Sequence, residues 1–316
     1  MSYTHKIVPI TSEDQWLSLR KSDLTSTEIS ALFNLCPYLT KFELYHAKKD
    51  GLILPFKENE RMKDGKDMEV FAANKVAKKN GWTVRPLQVY ARIPELRLGA
   101  SFDFEAICPK RGKGILEIKA VDYFRHKQKW SEEEIPPHIE IQARHQMLCA
   151  KEYNWSCVAA FTSIYDHHEY LFDRDEAFEN GLIAASKSFW SDVDNGHAPE
   201  PDFVKDAAVI SALYKNAGGE AVDLSADNQL SDLLAEYLRV KEEAKSWGDK
   251  QDALKSEIHF KMGERAKGFT PEYAVDTGWT KGSEGTVVTT EMVGTVIGAK
   301  SGYRKLLVKP YKGDKK

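Results

Sequence analysis

Asp103, Glu117 and Lys119 are the residues of this sequence whose types and spacing suit them to act together. The stretch Leu98-Gly-Ala-Ser-Phe-Asp103 reads as extended, a turn follows, and Leu116-Glu-Ile-Lys119 reads as the next extended run. Adjacent antiparallel strands would bring Asp103 near Glu117, and the two-residue period of a strand sets Glu117 and Lys119 on one face. Two converging carboxylates supply the hard oxygen ligands that Mg²⁺ or Mn²⁺ prefers, with the backbone carbonyl of Ile118 as a further donor. A metal held there would polarise a phosphate and acidify a bound water, while Lys119 orients that water or offsets charge developing at phosphorus. The same three residues also fit a plain surface ion pair, because the pattern recurs in charged proteins.

Two flanking polar residues add context. Glu69 follows Met68 and precedes Phe71 at the edge of an apolar helical stripe, so it can face a cleft or stand as an ordinary solvated residue. Gln142 sits among Ile139, Ile141, Met147 and Leu148, where a neutral amide can hold a water or a phosphate oxygen without competing for a cation. A structural hydrogen bond at the core edge accounts for it equally. His145 reads as a satisfied partner rather than a ligand.

The elements that must carry these residues follow from periodicity. A capped helix around Trp16–Arg20 leads into a second helical segment from Glu28 to Phe33, with Ser or Thr as its N-cap, which must stop near Pro37. A further helix starts at Thr40 and ends at Gly51 after a basic last turn. Apolar positions over residues 59–79 recur at helical spacing, with Asn80-Gly81 closing the element. Residues 83–93, 98–106 and 115–120 read as three strands, 135–150 as a helix opened by Pro136-Pro137, 155–165 and 169–172 as a hairpin, and 175–191 as a helix. That order implies an α/β (α+β) fold with a central mixed sheet flanked by helices.

Composition shifts after Pro199 and Pro201. Residues 228–262 place Leu230, Leu233, Leu234, Tyr237, Val240, Ala244, Trp247, Leu254 and Ile258 on one stripe among charges, an amphipathic helix with a break expected at Gly248. The stripe suits either a coiled-coil seam or packing on the core. Residues 273–308 read as short antiparallel strands, and the chain ends with seven Lys or Arg between positions 300 and 316. The expected division is therefore a core over 1–210 and a C-terminal extension over 211–316, the latter with an amphipathic helix and a basic tail.

The 316 residues are 42% hydrophobic and 29% charged with a formal net charge of -3, which excludes a disordered or collagen-like chain. No apolar stretch follows the N-terminus and no run approaches a membrane span, so neither a secretory signal nor a membrane partner is expected, and a cytoplasmic location is. Cys36, Cys108, Cys149 and Cys157 lack zinc or iron–sulfur spacing and read as reduced thiols.

In combination these motifs closely resemble the lambda-exonuclease or YqaJ-like viral recombinase family of the PD-(D/E)xK nuclease superfamily. The pieces stand in family order from about Asp14 to Phe161: Trp16 and Leu19-Arg20, Leu24-Thr-Ser-Thr-Glu28, Pro37-Tyr-Leu-Thr40, Phe42-Glu-Leu-Tyr45, Gly65-Lys-Asp-Met-Glu69, Gly99-Ala-Ser-Phe-Asp103, Glu117-Ile-Lys119 and Pro137 through Gln142. The resemblance implies a restriction-endonuclease-like core in which Asp103 and Glu117 bind the divalent metal, Glu69 assists with a metal or its water, Lys119 positions the nucleophilic water and Gln142 supports the site. It also implies that Arg20 and Thr27 receive a terminal 5′-phosphate. Where the family has a Pro-Asp-Gly turn, this chain has Phe102-Asp103-Phe104, and Gln142 is followed by Ala143-Arg144 rather than the commoner Val-Gln.

The implied activity is a 5′ to 3′ exonuclease on linear double-stranded DNA, Mg²⁺-dependent with Mn²⁺ as a substitute. It would leave 3′ overhangs for a single-strand-annealing recombinase, and the family's trimeric rings make a homotrimer the implied assembly. An iron–sulfur nuclease of the same superfamily is disfavoured because no cysteine follows Cys157. A structure-specific or restriction-type endonuclease and a noncatalytic DNA-binding recombination scaffold remain as alternatives.

Overall fold

Alternating apolar residues make the strands and capped amphipathic runs make the helices. The computed structural model describes residues 3–55, 60–131, 134–163, 165–216, 218 and 221–279. The chain divides into two units, Met1–Tyr214 and Lys215–Lys316.

The first unit runs β1 (Lys6–Pro9), α1 (Glu13–Ser22), β2 (Leu24–Thr25), α2 (Lys41–Lys49), α3 (Glu60–Asn80), β3 (Thr83–Pro86), β4 (Val89–Ile93), β5 (Leu98–Ser101), β6 (Phe104–Cys108), β7 (Gly112–Ala120), α4 (Tyr123–Lys129), α5 (Pro137–Cys149), β8 (Trp155–Phe161), β9 (His167–Asp173), α6 (Glu176–Asn195) and α7 (Ala207–Leu213). Local chemistry sets several boundaries. Ser12 and Thr40 cap α1 and α2 by accepting from the Gln15 and Glu43 N–H groups, and Gly196, at φ 77°, ends α6 in the left-handed conformation that glycine tolerates.

The expected mixed α/β architecture forms, but with two sheets in place of one. A five-stranded sheet has the order β3-β6-β7-β8-β9 and a four-stranded sheet the order β1-β4-β5-β2. In the larger sheet β7 and β8 are parallel and the other pairs antiparallel. Residues 83–93 and 98–106, each expected as one strand, are each split. The ribbon they form leaves the larger sheet as β3–β6 and enters the smaller as β4–β5. At the crossing the Leu87 N–H donates to the Asp103 carbonyl at 3.1 Å. Residues 98–106 keep one apolar phase through the crossing, whereas that of residues 83–93 shifts between Val84 and Leu87.

The segment expected as a helix from Glu28 to Phe33 is a 3-10 turn over Ile29–Phe33 with no side-chain cap, ended by Asn34 at φ 58°. The preceding residues are held elsewhere: β2 pairs in parallel with β5, Leu24 opposite Leu98 and Thr25 opposite Gly99. Gly99 is required here, because a Cβ would overlap the phenol ring of Tyr90 on β4. One core lies under the smaller sheet, with Leu24, Ile29, Leu44, Ile93, Leu98, Met147 and Phe189, and a second gathers Ala73, Val76, Leu116, Trp155 and Cys157 between α3 and the larger sheet. Full burial of each large aliphatic side chain contributes roughly 1.5–3 kcal/mol.

In the second unit α8 (Asn228–Met262) is one unbroken helix of 35 residues with no buried residue, so Gly248 does not interrupt it. A short hairpin follows, β10 (Lys267–Phe269) paired with β11 (Ala274–Asp276). The strands expected beyond residue 279 and the basic ending over 300–316 lie outside the described residues. Among the described residues no helix is long and apolar enough to cross a membrane.

Candidate active site

Glu117 sits near the C-terminal end of β7, a strand held on both sides by β6 and β8. At 4% exposure its carboxylate has left bulk water, and it must find partners within the protein. Lys119 Nζ donates to Glu117 Oε1 at 2.7 Å and to Gln142 Oε1 at 3.1 Å. Gln142 Nε2 donates to the same Glu117 Oε1 at 2.6 Å, which closes a three-membered ring of side chains. The pleat puts Glu117 and Lys119 on one face, and α5 lays Gln142 over them.

Gln146 completes the arrangement from one turn further along α5, donating from Nε2 to Glu117 Oε2 at 2.8 Å and to the Ser101 carbonyl at 3.0 Å. Sequence reasoning overlooked this residue. Its signal was available, since positions four apart share a helix face and Gln142 had already been singled out.

Asp103 lies in the break between β5 and β6, where the ribbon changes sheets, and its Oδ2 accepts the Ile118 N–H at 2.9 Å. That bond ties the carboxylate to the residue between Glu117 and Lys119. Burial and then the neighbouring Glu117 carboxylate push the Asp103 carboxyl well above the ordinary range, with Glu69 adding to the effect and Lys119 and the Ile118 N–H opposing it. Burial draws the Lys119 ammonium down, but Glu117, Asp103 and Glu69 more than offset this and hold it above its usual value.

Glu69 therefore acts on both groups from α3. That helix runs close to the end of β7, where a Cβ at Gly65 would lie 3.8 Å from the Ala120 Cβ. Glu117, Asp103 and Glu69 all act on the one ammonium, and carboxylate oxygens of this kind are the donors that fit a hard divalent cation. Among the described residues no group of three or more His, Cys, Asp or Glu is arranged as a ready-made metal site. The donors that fit are the two carboxylates of Asp103 and Glu117.

Arg20 and Thr27 are brought together by the turn that follows β2. Arg20 Nη2 donates to Thr27 Oγ1 at 3.4 Å, and its guanidinium lies 4.7 Å from the centre of the Trp16 ring. Trp16 Nε1 in turn donates to Ser101 Oγ at 2.8 Å. Ser101 is thus shared: its hydroxyl is bound from the Arg20 side and its carbonyl by the glutamine that holds Glu117. Thr27 is exposed and precedes only a five-residue 3-10 turn, so helix-terminal N–H groups make no anion site beside it. His145 is fully enclosed, and burial lowers its imidazole to about 3.

Residues 15–153 match the YqaJ-like viral recombinase domain. The chain is 26% identical over 270 residues to the uncharacterized protein YqaJ of Bacillus subtilis (strain 168), a match covering 83% of this chain and 82% of that protein. Among solved structures it is similar to LHK-Exo in complex with dAMP, with 17% identity, a TM-score of 0.48 and coverage of 62% of this chain and 98% of that one. The alkaline exonuclease LHK-Exo from Laribacter hongkongensis gives 17%, 0.47 and the same coverage, and a phage-related exonuclease from Haemophilus somnus 129PT gives 12%, 0.34, 60% and 90%.

Proposed function

From the match of residues 15–153 to the YqaJ-like viral recombinase domain, we propose that this chain is a divalent-metal-dependent exonuclease that degrades linear double-stranded DNA from 5′ ends. The product would be duplex with 3′ single-stranded overhangs, the substrate of a single-strand-annealing recombinase acting beside it. The observation that carries the reading is the Glu117 carboxylate, buried and held by Lys119, Gln142 and Gln146, with Asp103 tied to the same strand.

In this mechanism Asp103 and Glu117, with the Ile118 carbonyl and the nearby Glu69, would hold Mg²⁺ or Mn²⁺, whose contribution would be to polarise the scissile phosphate and acidify a water. Lys119 places a proton-donating ammonium beside Glu117, where it orients the attacking water and offsets the negative charge that builds up at phosphorus. Gln142 fixes Lys119 through its amide oxygen and Glu117 through its amide nitrogen, so both stay aligned without a further charge in the pocket. Arg20 and Thr27 offer a guanidinium and a hydroxyl to the terminal 5′-phosphate, a charge-assisted contact that reads an end rather than a base.

Residues 1–210 form the catalytic core in this reading, and residues 211–316 engage DNA or a partner protein. A homotrimer around the duplex would give processivity, and the cytoplasm is the compartment in which such an enzyme meets its DNA.

The deciding experiment compares linear duplex with covalently closed circular duplex, each with Mg²⁺ and with a chelator. Digestion of the linear form alone, abolished by the chelator and by Asp103→Asn, is expected. Cutting of the closed circle would replace the exonuclease with an endonuclease, and metal-independent or absent cleavage would reject the mechanism.

A further inference from the structure

A single ammonium group pins the segment that carries Arg20 and Thr27. Lys48, in the last turn of α2, donates from Nζ to the Arg20 carbonyl at 2.8 Å, to the Asp23 carbonyl at 2.7 Å and to both Glu28 oxygens at 3.1 and 2.9 Å. Its side chain is 4% exposed. Lysine has three donors and a flexible stem, and here all three are spent on the beginning, middle and end of one nine-residue segment, Arg20 to Glu28.

Glu28 is bound to the same segment a second time. Its Oε2 accepts the Thr25 N–H at 2.9 Å, which tightens the turn, and Thr25 Oγ1 lies 3.3 Å from Thr27 Oγ1. The carboxylate therefore fixes the threonine pair while the lysine fixes the carboxylate. Two carbonyls and one carboxylate could not all be satisfied by a neutral side chain at that point, and an ammonium buried there requires the carboxylate as its counter-charge.

The pinned segment has a set relation to the catalytic strand. Leu24 and Thr25 pair with Leu98 and Gly99, and β5 then passes through Ser101 and Phe102 to Asp103. The backbone that presents Arg20 and Thr27 is thus bonded to the strand that delivers the catalytic carboxylate. A terminal phosphate and a scissile phosphate are separated by a fixed length of DNA backbone, so the protein must fix the corresponding separation on its own side.

We infer that Lys48, buried, and its partner Glu28 are positioning residues for end recognition, holding Arg20 and Thr27 at the distance from Asp103 at which a 5′-phosphorylated end is preferred over a 5′-hydroxyl end. This rests on the reading of Arg20 and Thr27 as the receivers of that phosphate. Neither Lys48 nor Glu28 contacts DNA in this scheme, and the effect passes entirely through the backbone of residues 20–28.

The test uses the purified full chain and two blunt duplexes that differ only in a 5′-phosphate or a 5′-hydroxyl. The readout is the ratio of their kcat/KM values for the unaltered protein, Arg20→Ala, Lys48→Met and the double variant Lys48→Met/Glu28→Gln. The double variant leaves no unpaired buried charge and keeps an acceptor for the Thr25 N–H, so it guards against a simple folding failure of Lys48→Met. Thermal melting establishes that each is folded.

The expected result is a ratio that falls about tenfold in the folded double variant through KM for the phosphorylated end, while kcat at saturation changes less than about threefold. A ratio kept within about twofold would overturn the inference, as would an equal loss on both ends, the mark of a merely structural role. If the unaltered protein shows no preference, or Arg20→Ala leaves it intact, the phosphate-receiving reading falls and takes this inference with it. A preference lost in Arg20→Ala but kept in the double variant overturns the positioning role alone.

Discussion

Gln146 binds the Glu117 oxygen that Lys119 leaves free, and the same amide nitrogen holds the Ser101 carbonyl, so one side chain joins the two sheets at this carboxylate. Gln146→Leu leaves Glu117 Oε2 buried without that donor. The expected cost is about 1–3 kcal/mol of stability. The metal concentration needed for half-maximal cleavage should also rise by roughly 10–100-fold, the usual consequence of losing a group that orients a ligand. A titration of Mg²⁺ against cleavage rate checks this, and an unchanged midpoint would remove Gln146 from the site.

Asp103→Asn and Glu117→Gln should each lower turnover at least about 100-fold, since each removes negative charge from the oxygen donors. Lys119→Ala should lose turnover while binding duplex nearly as well. Binding and single-turnover cleavage measured on the same preparations separate the two effects. Near-normal turnover by folded Asp103→Asn protein would reject the assignment.

Digestion should be faster on 5′-phosphorylated than on 5′-hydroxyl duplex, and Arg20→Ala should shrink that ratio by about tenfold, the loss of one charge-assisted contact. Quantifying acid-soluble nucleotides from the two substrates in parallel gives the ratio directly. A ratio indifferent to the substitution would leave Arg20 as a contact to any backbone phosphate.

Much of the site was legible because its chemistry is local. Glu117 and Lys119 are two apart on a strand, and the apolar runs around Met68 and Ile139 announced α3 and α5 by their spacing. The division into two sheets was hidden on the Asp103 arm, where Leu98, Ala100, Phe102, Phe104 and Ala106 alternate without a break while the hydrogen-bond partners change; on the other arm the apolar phase shifts between Val84 and Leu87, a small irregularity beside Pro86. Arg20 and Thr27 were reached only through the family resemblance, as nothing in periodicity brings residues seven apart together across a turn. Lys48 read as one more basic residue in a helix's last turn; its four bonds depend on where α2 packs, which is tertiary information. The Ile29–Phe33 segment has helical composition, yet the demand of β2 for a partner on β5 leaves room only for a 3-10 turn.

The imidazole of His145 gives the fold an acid sensitivity of its own. Burial lowers it from 6.5 to about 3 in the folded chain, so the unfolded chain takes up the proton first as pH falls. Its contribution is complete above about 6.5 and is lost progressively down to about 3, which amounts to about 2 kcal/mol between pH 7 and pH 5. Urea unfolding at those two pH values should show that difference, and His145→Met should lack it. Equal acid losses in both proteins would assign the sensitivity to other groups.

The ribbon that crosses between the sheets divides the proposed labour in a way that bears on how this chain can change. Arg20 is carried by α1 and Thr27 by the turn after β2, on either side of an edge strand of the four-stranded sheet, whereas Glu117 and Lys119 belong to the five-stranded sheet, with Asp103 at the passage from one to the other. Under the proposed roles, choice of DNA end and the breaking of the phosphodiester bond would therefore rest on different pieces of backbone. Under that proposal, substitution in the turn after β2 is expected to retune which ends are accepted with little effect on Glu117 and Lys119. The reverse is harder, because any change that shifts the passage moves Asp103 itself. End selection would then be the more separable property of this architecture and hydrolysis the more constrained one.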